Sequence, residues 1–316
     1  MNARFARPSL ALSSLALLVL ALAGCEEEFD PGSNVSSLRV LAIQADNPFA
    51  APGETVRLQA TSYDPAGREV TWAWLECSNP ASSSVDGCLA DIGQATLDTG
   101  ALPLLATGPG LDGIDLAISP SALDELPVEA RPNALTGVLA IACPGSLDLA
   151  SSTSTGWPFR CTDASGVELD LHDSVAGVKR VFIRSSDRNQ NPTIGSVTFD
   201  GELWAADDVK EVDACATDEF VFDDCEGKGD HRIAAVLDPP SFEAGSDEFG
   251  REFAEQLIVQ HYATDAIFED EVRVGEQPET RFVARQSASG QELRVWFVAR
   301  DDRGGVSIAE RRVRVR

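Results

Sequence analysis

Alternation of apolar and polar residues is the feature that most restricts how this chain can fold. In the segment 55–61, Val56, Leu58 and Ala60 fall on one side of an extended chain and the polar residues fall on the other. Similar runs recur along the sequence, separated by turn signals such as Asp-Pro-Ala-Gly at 64–67. Successive side chains of a strand point to opposite faces, and short strands with frequent turns are typical of β-sandwiches. The pattern therefore predicts an all-β fold.

The residues from 51 to 74 also resemble a known kind of domain. Ala-Pro-Gly-Glu-Thr-Val-Arg-Leu at 51–58, the Asp64-Pro65 turn and Trp72-Ala73-Trp74 are similar to the opening of Ig-like or PKD-like domains of bacterial envelope lipoproteins. In such domains a tryptophan after the second turn packs between the sheets, so the resemblance implies that Trp72 or Trp74 lies in the core. It implies little about function, because sandwiches of this type have many roles.

Two changes in the pattern divide the chain. Residues 78–134 are rich in Ser, Gly, Leu and Asp and too long for an ordinary loop, so we interpret them as an insertion. A polar segment, 185–192, ends in Asn-Pro and precedes a fresh alternating run, which is typical of a domain boundary. We therefore predict two tandem Ig-like β-sandwich domains, residues 38–186 with the insertion and residues 187–316.

The sequence also predicts smaller elements within these domains. Asp200-Gly201 joins two short alternating runs and predicts a tight hairpin over 197–204, and a closing hairpin is predicted around 301–305. A proline at the first position of an apolar stripe predicts a short capped helix over 119–126. Phenylalanines spaced by four residues predict a helical turn over 247–256.

Residues 1–24 have the layout of a secretory signal peptide. Two arginines precede an apolar run at 10–22, and small residues follow it. Leu22-Ala23-Gly24-Cys25 resembles the bacterial lipobox, which implies a thioether-linked diacylglycerol on Cys25 and cleavage just before it. An ordinary cleaved signal with Cys25 nearby by chance is the alternative. Glu26 is not the Asp that favours inner-membrane retention in the lipoprotein sorting rule, so we expect the outer membrane, with residues 25–37 as lipidated cysteine and flexible tether.

The chain has seven cysteines, an odd number for an exported protein, and the lipobox accounts for one. The other six fall along the chain as three local pairs, which predicts the disulfides Cys77–Cys88, Cys143–Cys161 and Cys215–Cys225. Other pairings remain open from sequence alone. Metal ligation would require CxxC-type spacing, which the sequence lacks. Each predicted disulfide closes a short loop and contributes about 3 kcal/mol.

Charge and motif context exclude several functions. With 51 acidic against 25 basic residues, the net charge is −26, so we expect no nucleic-acid partner. The GxGxxG match at 108–113 precedes a strand-like run instead of a helix, which favours a glycine-rich turn over a dinucleotide site. His172, His231 and His261 have no zinc-site spacing, and no serine lies in GxSxG. His261 lies in a predicted strand, where a structural role is expected.

Two acidic segments are candidates for binding. Asp187, Asn189 and Asn191 have a DxNxN spacing that resembles the calcium-binding linker of cadherin-type sandwiches, although Gln190 replaces an Asp of that linker. A plain polar linker is the alternative. Residues 200–230 carry twelve carboxylates and two lysines, which predicts a solvated acidic loop, a calcium site or a surface for a basic partner.

Together these features predict a non-enzymatic binding or adhesion module that requires no cofactor. We expect its lipid to hold it in the membrane of the cell envelope, and loops 78–134 and 200–230 to bind an envelope protein or glycan. A structural or accessory subunit of an envelope assembly is the alternative. A hydrolase with a dispersed site is the third hypothesis.

Overall fold

The computed structural model describes residues 31–78, 85–149, 159–169, 173–216, 222–225 and 229–316. The predicted signal peptide and Cys25 lie outside the described residues. The chain divides into residues 1–31 and one compact unit, Gly32–Arg316, to which every strand of the described residues belongs. No helix among the described residues is long and apolar enough to cross a membrane.

Strands dominate the described residues, so the all-β prediction is confirmed. In chain order, the strands of the N-terminal half are β1 (Arg39–Ala45), β2 (Phe49–Ala50), β3 (Thr55–Tyr63), β4 (Thr71–Ser78), β5 (Leu104–Pro109), β6 (Gly113–Ala117), β7 (Leu135–Cys143), β8 (Ser146–Asp148), β9 (Arg160–Thr162) and β10 (Val175–Ile183). A helix, α1 (Val85–Thr99), lies between β4 and β5, and a 3₁₀ turn (Arg131–Asn133) precedes β7.

The C-terminal half has the same character. Its strands are β11 (Ile194–Phe199), β12 (Glu202–Leu203), β13 (Val209–Val212), β14 (His231–Leu237), β15 (Ala244–Ser246), β16 (Glu252–Ala254), β17 (Leu257–Ala263), β18 (Ala266–Phe268), β19 (Val272–Val274), β20 (Thr280–Ala284), β21 (Glu292–Asp301) and β22 (Val306–Val315). Short 3₁₀ turns occur at Phe222–Cys225, Pro239–Ser241 and Gln286–Ala288.

Two sheets of the N-terminal half share one hydrophobic core. Their strand orders are β1-β3-β6 and β2-β10-β7-β4-β5, antiparallel except for the β2–β10 pair. The side chains that alternate inward along β3, including Val56 and Leu58, meet Trp72 and Trp74 of β4 in this core. Both tryptophans are buried, with ring centroids 5.8 Å apart, where the sequence predicted at least one.

One part of the predicted insertion packs outside the sandwich, and another part belongs to its sheets. Helix α1 packs on the outer face of β4, where Leu75 and Cys77 contact Ile92 and Cys88. Strands β5 and β6, however, pair with β4 and β3 and complete the two sheets. Only part of residues 78–134 therefore leaves the sandwich.

The predicted helix over 119–126 is wrong, because this segment forms consecutive turns. The hydroxyl of Ser119 accepts a hydrogen bond from the backbone N–H of Ser121, and the hydroxyl of Ser121 donates to Glu125. Such local side-chain bonds compete with helical ones, and prolines at 120 and 127 leave too few residues to nucleate a helix.

Two further sheets form the core of the C-terminal half, with orders β12-β11-β14-β20-β18 and β13-β22-β21-β17-β19. The predicted hairpin over 197–204 is confirmed as β11–β12. Its turn has positive φ at Asp200 (51°) and Gly201 (80°), which suits the twist of paired strands. The predicted closing hairpin is confirmed as β21–β22.

The predicted helical turn over 247–256 is wrong, because β15 and β16 form a hairpin there. The Asp247 carboxylate accepts hydrogen bonds from the backbone N–H groups of Phe249 and Arg251 at 3.0 and 2.8 Å. Gly250 has a φ of 77°. These are features of a tight turn, and they outweigh the four-residue spacing of the phenylalanines.

Part of the predicted tether is not flexible. The backbone N–H of Val35 donates to the carbonyl of Ala263 at 2.8 Å, and the N–H of Ala263 donates to the carbonyl of Ser33 at 2.9 Å. Val35 is buried beside Leu41 and Trp296 in a further apolar cluster, which joins the two halves. The tether prediction therefore extended too far, because an apolar residue within the polar stretch gains contacts with both halves.

Candidate functional site

The linker between the two halves is held by the carboxylate of Glu248, in the turn of hairpin β15–β16. It accepts hydrogen bonds from the backbone N–H groups of Ser185 (3.0 Å), Ser186 (2.7 Å) and Asp187 (3.2 Å). Burial raises the pKa of Glu248, but these donors more than compensate and hold it below its usual range. The hairpin thus fixes the chain where it passes from one half to the other.

Arg303, in the turn between β21 and β22, makes ion pairs with three carboxylates. Its guanidinium lies 3.1 Å from Asp187, 3.2 Å from Glu255 and 3.6 Å from Glu243. The Arg303 side chain is 12% exposed and that of Glu255 is 1% exposed, so these charges are removed from water. Burial, followed by the nearby charges of Asp301 and Glu243, raises the pKa of Glu255 to about 7.

The same guanidinium stacks on phenylalanines from both halves. Its central carbon lies 3.7 Å from the ring centroid of Phe253 and 4.7 Å from that of Phe49. Phe49 belongs to β2 of the N-terminal half and Phe253 to β16 of the C-terminal half. Cation–π contacts of this kind contribute about 1–2 kcal/mol when desolvated. Arg303 therefore connects the two halves by charge and by packing.

Two further arginines extend this contact. Buried Arg184 donates to the carbonyls of Pro132 (3.0 Å) and Ala134 (3.2 Å), and its guanidinium lies within 5.6 Å of three phenylalanine rings. Burial lowers the pKa of Arg184. Arg251 of β15–β16 donates to the carbonyl of Pro132 at 2.9 Å. We call Arg184, Arg251 and Arg303, with their aromatic and carboxylate partners, the arginine junction.

A cavity of about 400 Å³ opens beside the arginine junction. Its lining mixes positive, negative and aromatic side chains, including Arg251, Arg303, Asp187 and Phe253. Arg303 is already neutralised by its three carboxylates, and Arg251 forms an ion pair with Asp247 at 2.6 Å. The charged groups of this region are therefore used to hold the two halves together.

The three predicted calcium ligands lie in this junction, each with a protein partner. Asp187 is paired with Arg303, and the Asn189 amide donates to the Asp301 carboxylate at 3.2 Å. The Asn191 amide donates to the carbonyl of Ala45 (2.7 Å) and accepts from the N–H of Val306 (2.9 Å).

These contacts join the two halves through protein groups. The guanidinium of Arg303 pairs with the Asp187 carboxylate that a calcium ion would need as a ligand. This geometry favours the polar-linker alternative. Among the described residues, no group of three or more His, Cys, Asp or Glu side chains is placed to hold a metal. Calcium binding stays a prediction.

The other predicted features occupy structural positions. The glycine-rich match at 108–113 forms the crossing from β5 to β6, and a strand follows it instead of a helix. His261 is 1% exposed between the rings of Phe268 and Phe297, and burial lowers its pKa to about 4. His231 lies 2.8 Å from the carboxylate of Asp200. His172 lies outside the described residues.

The three predicted disulfides are confirmed, with Cα–Cα distances of 5.3 Å (Cys77–Cys88), 5.7 Å (Cys143–Cys161) and 5.4 Å (Cys215–Cys225). The last one closes part of the acidic segment 200–230, of which residues 217–221 and 226–228 lie outside the described residues.

Several carboxylates of the acidic segment lie within ion-pair distance of a lysine, arginine or histidine side chain. The pairs are Asp208–Lys210, Glu211–Arg316, Asp230–Arg281 and Asp200–His231. Glu202, Asp207 and Asp213 are exposed. The described part of this segment is therefore a solvated acidic surface.

Sequence reasoning did not find the arginine junction. Its arginines are more than fifty residues apart in the chain, so no local motif joins them. A weak signal was present: Phe182-Ile183-Arg184 and Phe249-Gly250-Arg251 place an aromatic ring two residues before an arginine. Phe182 and Arg184 lie at the end of β10, where residues two apart share a face, which is the geometry that a cation–π contact requires; Phe249 and Arg251 come together through the tight turn at Gly250 instead.

No family model matches this chain, and no curated protein matches it. Many solved structures are weakly similar. Three of them, each at 9% identity, are the three N-terminal domains of the bacteriophage RB49 highly immunogenic outer capsid protein, a chimeric titin Z1Z2–Z1Z2 tandem carrying a fibronectin GRGDS peptide, and dimeric latent PorU from Porphyromonas gingivalis.

In these matches the TM-scores are 0.20, 0.23 and 0.21, and 88%, 88% and 89% of this chain is covered. The matches cover 59%, 99% and 24% of the other chains, so this chain spans less than two thirds of the first. Similarities at this level carry no argument about function.

Proposed function

We propose that this chain is a non-enzymatic interaction protein of the bacterial cell envelope, held by a lipid on Cys25. In this proposal two Ig-like domains act as one rigid body that presents loops to an envelope protein or glycan. The observation that carries it is the arginine junction, together with the capture of the linker by Glu248. A fixed junction sets the direction in which loops are presented and lowers the entropy lost on binding.

The proposed location rests on the N-terminal sequence and the cysteines. A lipobox-like Leu-Ala-Gly-Cys follows an apolar export segment, and the six remaining cysteines form three disulfides. Disulfides persist in oxidising compartments such as the bacterial periplasm. Glu26 favours the outer membrane. Because Ser33–Val35 pair with Ala263, this proposal shortens the predicted tether to the residues between Cys25 and Gly32.

The anchor is tested by fractionating the envelope of cells that express the full chain. Cys25→Ser removes the thiol that would carry the lipid, so the protein is expected to leave the membrane fraction. Glu26→Asp keeps the lipid site and is expected to move the protein toward the inner membrane. If Cys25→Ser still fractionates with membranes, the anchor is wrong.

The proposed binding surface is the disulfide-closed loops. Cys77–Cys88 holds α1 against the sandwich, and Cys215–Cys225 closes part of the acidic segment. Loops on a rigid scaffold are where recognition is usually found. The exposed carboxylates of the acidic segment suit a partner that carries basic groups.

Crosslinking and pull-down of the full chain in its own envelope tests this surface. The double change Glu202→Gln, Asp207→Asn removes two exposed charges of the acidic segment and is expected to reduce capture of the partner at least tenfold. Glu69→Gln, Glu276→Gln removes two exposed charges elsewhere and serves as the matched control. Equal capture by both variants would contradict a role for the acidic segment.

Exposed strand edges favour a second candidate, an accessory subunit of an envelope assembly. β5 is an edge strand whose Leu104 and Leu105 are 41% and 38% exposed, and edge strand β19 exposes Val272 and Val274 by 49% and 55%. Apolar edge strands pair readily with other chains. In this case Leu105→Lys would reduce co-purification of other envelope proteins, and the acidic-segment variant would not.

A further inference from the structure

A second cavity, of about 200 Å³, lies between β1, β10 and the turn that follows β21. Its charged lining consists of Lys179, Arg180 and Arg300, and no acidic residue is among the described residues that line it. This is unusual in a chain whose net charge is −26. Three cations that share one cavity repel one another unless a negative charge lies between them.

Lys179 is the most deeply placed of the three. Lys179 is 5% exposed and lies on the face of β10 that also carries the core residues Val181 and Ile183. Its ammonium group donates to the carbonyl of Gly304 at 2.5 Å, and no carboxylate of the described residues lies within ion-pair distance. An ammonium has three donors, so this single bond leaves two. Buried charges in proteins are normally paired.

The other two cations leave the cavity positive. Arg300 donates to the side-chain oxygen of Gln260 (2.7 Å) and to the carbonyl of Leu41 (2.8 Å), both of them neutral acceptors. The backbone of Arg180 pairs with Gly137 of β7, and its side chain makes no hydrogen bond or ion pair with the residues that the structure describes.

Asp301 is the acidic residue whose charge acts on Lys179, and its carboxylate already has other partners. Its oxygens accept hydrogen bonds from the backbone N–H groups of Arg303 (2.9 Å) and Gly305 (2.7 Å) and from the Asn189 amide (3.2 Å). Asp301 therefore partly offsets the charge of Lys179 from a distance without pairing with it.

We propose that this cavity binds a small oxyanion, such as a phosphate, sulfate or carboxylate group, between Lys179, Arg180 and Arg300. Charge-assisted hydrogen bonds from ammonium and guanidinium groups are the strong ones for such oxygens. The volume admits one small anion with a few waters, since a water needs roughly 10–15 Å³ of such space. The anion would neutralise the buried lysine at the place where the two halves of the fold meet.

The test is isothermal titration calorimetry of the full chain in detergent at pH 7, with sodium sulfate, phosphate and acetate as separate probes. Ionic strength is matched with sodium chloride. Saturable binding of at least one probe is expected, and the three arms separate tetrahedral anions from carboxylates. Absence of saturable binding by all three probes would overturn the proposal.

Variants locate the binding. Lys179→Met is expected to abolish it, and Arg180→Gln is expected to weaken it at least tenfold. The side chain of Arg180 has no hydrogen-bond or ion-pair partner among the described residues, so this second variant is expected to fold even if the first does not. Lys210→Met removes a lysine outside the cavity and is the matched control. Binding that is the same in Arg180→Gln as in the unchanged chain would place the anion elsewhere and overturn the proposal.

Discussion

Glu255 and His261 are both buried, and their pKa shifts act on stability in opposite directions. The pKa of Glu255 rises from 4.5 to about 7, so between these values the folded form holds the proton more tightly and stability falls as pH rises. The pKa of His261 falls from 6.5 to about 4, so the unfolded form holds the proton more tightly and stability falls as pH drops. In the range between pH 4.5 and 6.5 the two effects oppose each other.

Two substitutions should separate these effects. The free energy of unfolding of Glu255→Gln, taken relative to that of the unchanged chain, is expected to rise from pH 5 to pH 7, because the variant has no carboxyl group whose ionisation destabilises the fold. His261→Phe places a ring that suits the neighbouring phenylalanines. Its free energy of unfolding, relative to that of the unchanged chain, is expected to be highest at pH 5 and to decline toward pH 7. Urea denaturation at pH 5, 6 and 7 measures both. Parallel pH profiles for the two variants would contradict the opposing signs.

Lys179 gives a prediction in a different pH window. Burial, followed by the charge of Arg300, lowers its pKa from 10.5 to about 8, so its charged form costs stability below pH 8 and the cost disappears as pH rises to 10.5. Lys179→Met is therefore expected to raise the free energy of unfolding at pH 7 by about 2 kcal/mol, after loss of one hydrogen bond. Urea denaturation in a buffer without sulfate or phosphate measures this, and a lower stability at pH 7 would contradict it.

At the scale of elements, the β15–β16 hairpin carries the contact with the linker. Glu248→Ala removes the acceptor of three backbone N–H groups, and we expect a loss of about 1–3 kcal/mol. Hydrogen exchange at Ser186 and Asp187 should increase at least tenfold. Glu252→Ala, on the same hairpin, leaves these amides bonded and is the control. Equal exchange in both variants would show that the linker is held by other contacts.

Elements were predictable where one local rule decided them. Strand β3 follows from alternation, and the β11–β12 turn follows from Asp200-Gly201. Helix α1 was missed because Gly87, Gly93 and its threonines give it little intrinsic helix propensity, and packing on β4 and the Cys77–Cys88 disulfide stabilise it instead.

The arginine junction shows the limit of the same reasoning. Its phenylalanines and arginines come from β2, the end of β10, the β15–β16 hairpin and the β21–β22 turn, which are distant in sequence and meet only in the tertiary fold. The predicted residue Asp187 does lie in the junction, but its partner is Arg303, more than a hundred residues away. Sequence spacing identified a polar linker, and tertiary contacts determine what the linker binds.

At the scale of the whole molecule, the junction determines whether the two cores unfold together. Arg303 connects Phe49 of one half with Phe253 and Glu255 of the other, and Val35 and Leu41 pack against Trp296 in the same contact region. Interfaces of this kind couple domains when they are large and apolar. We expect the unchanged chain to show one calorimetric transition.

Arg303→Gln should break this coupling. It leaves the carboxylates of Asp187, Glu243 and Glu255 without their shared cation, a loss of about 3–5 kcal/mol for a buried ion pair that loses one partner. We expect the transition to move to lower temperature and to split in two. Arg232→Gln, whose exposed pair with Glu279 contributes at most about 1 kcal/mol, is the control. A single unshifted transition in Arg303→Gln would mean that the apolar contact alone joins the halves.

The same calorimetry, repeated with a chelator, distinguishes a calcium-binding linker from a plain polar linker. If Arg303 supplies the positive charge that Asp187 needs, EDTA should leave the transition of the unchanged chain within about 1 °C, because no ion contributes to the fold. A calcium-dependent linker would instead lower the transition temperature with EDTA and restore it with added calcium. Since Asn189 and Asn191 bond to Asp301, Ala45 and Val306, we expect the linker to keep its position in either buffer.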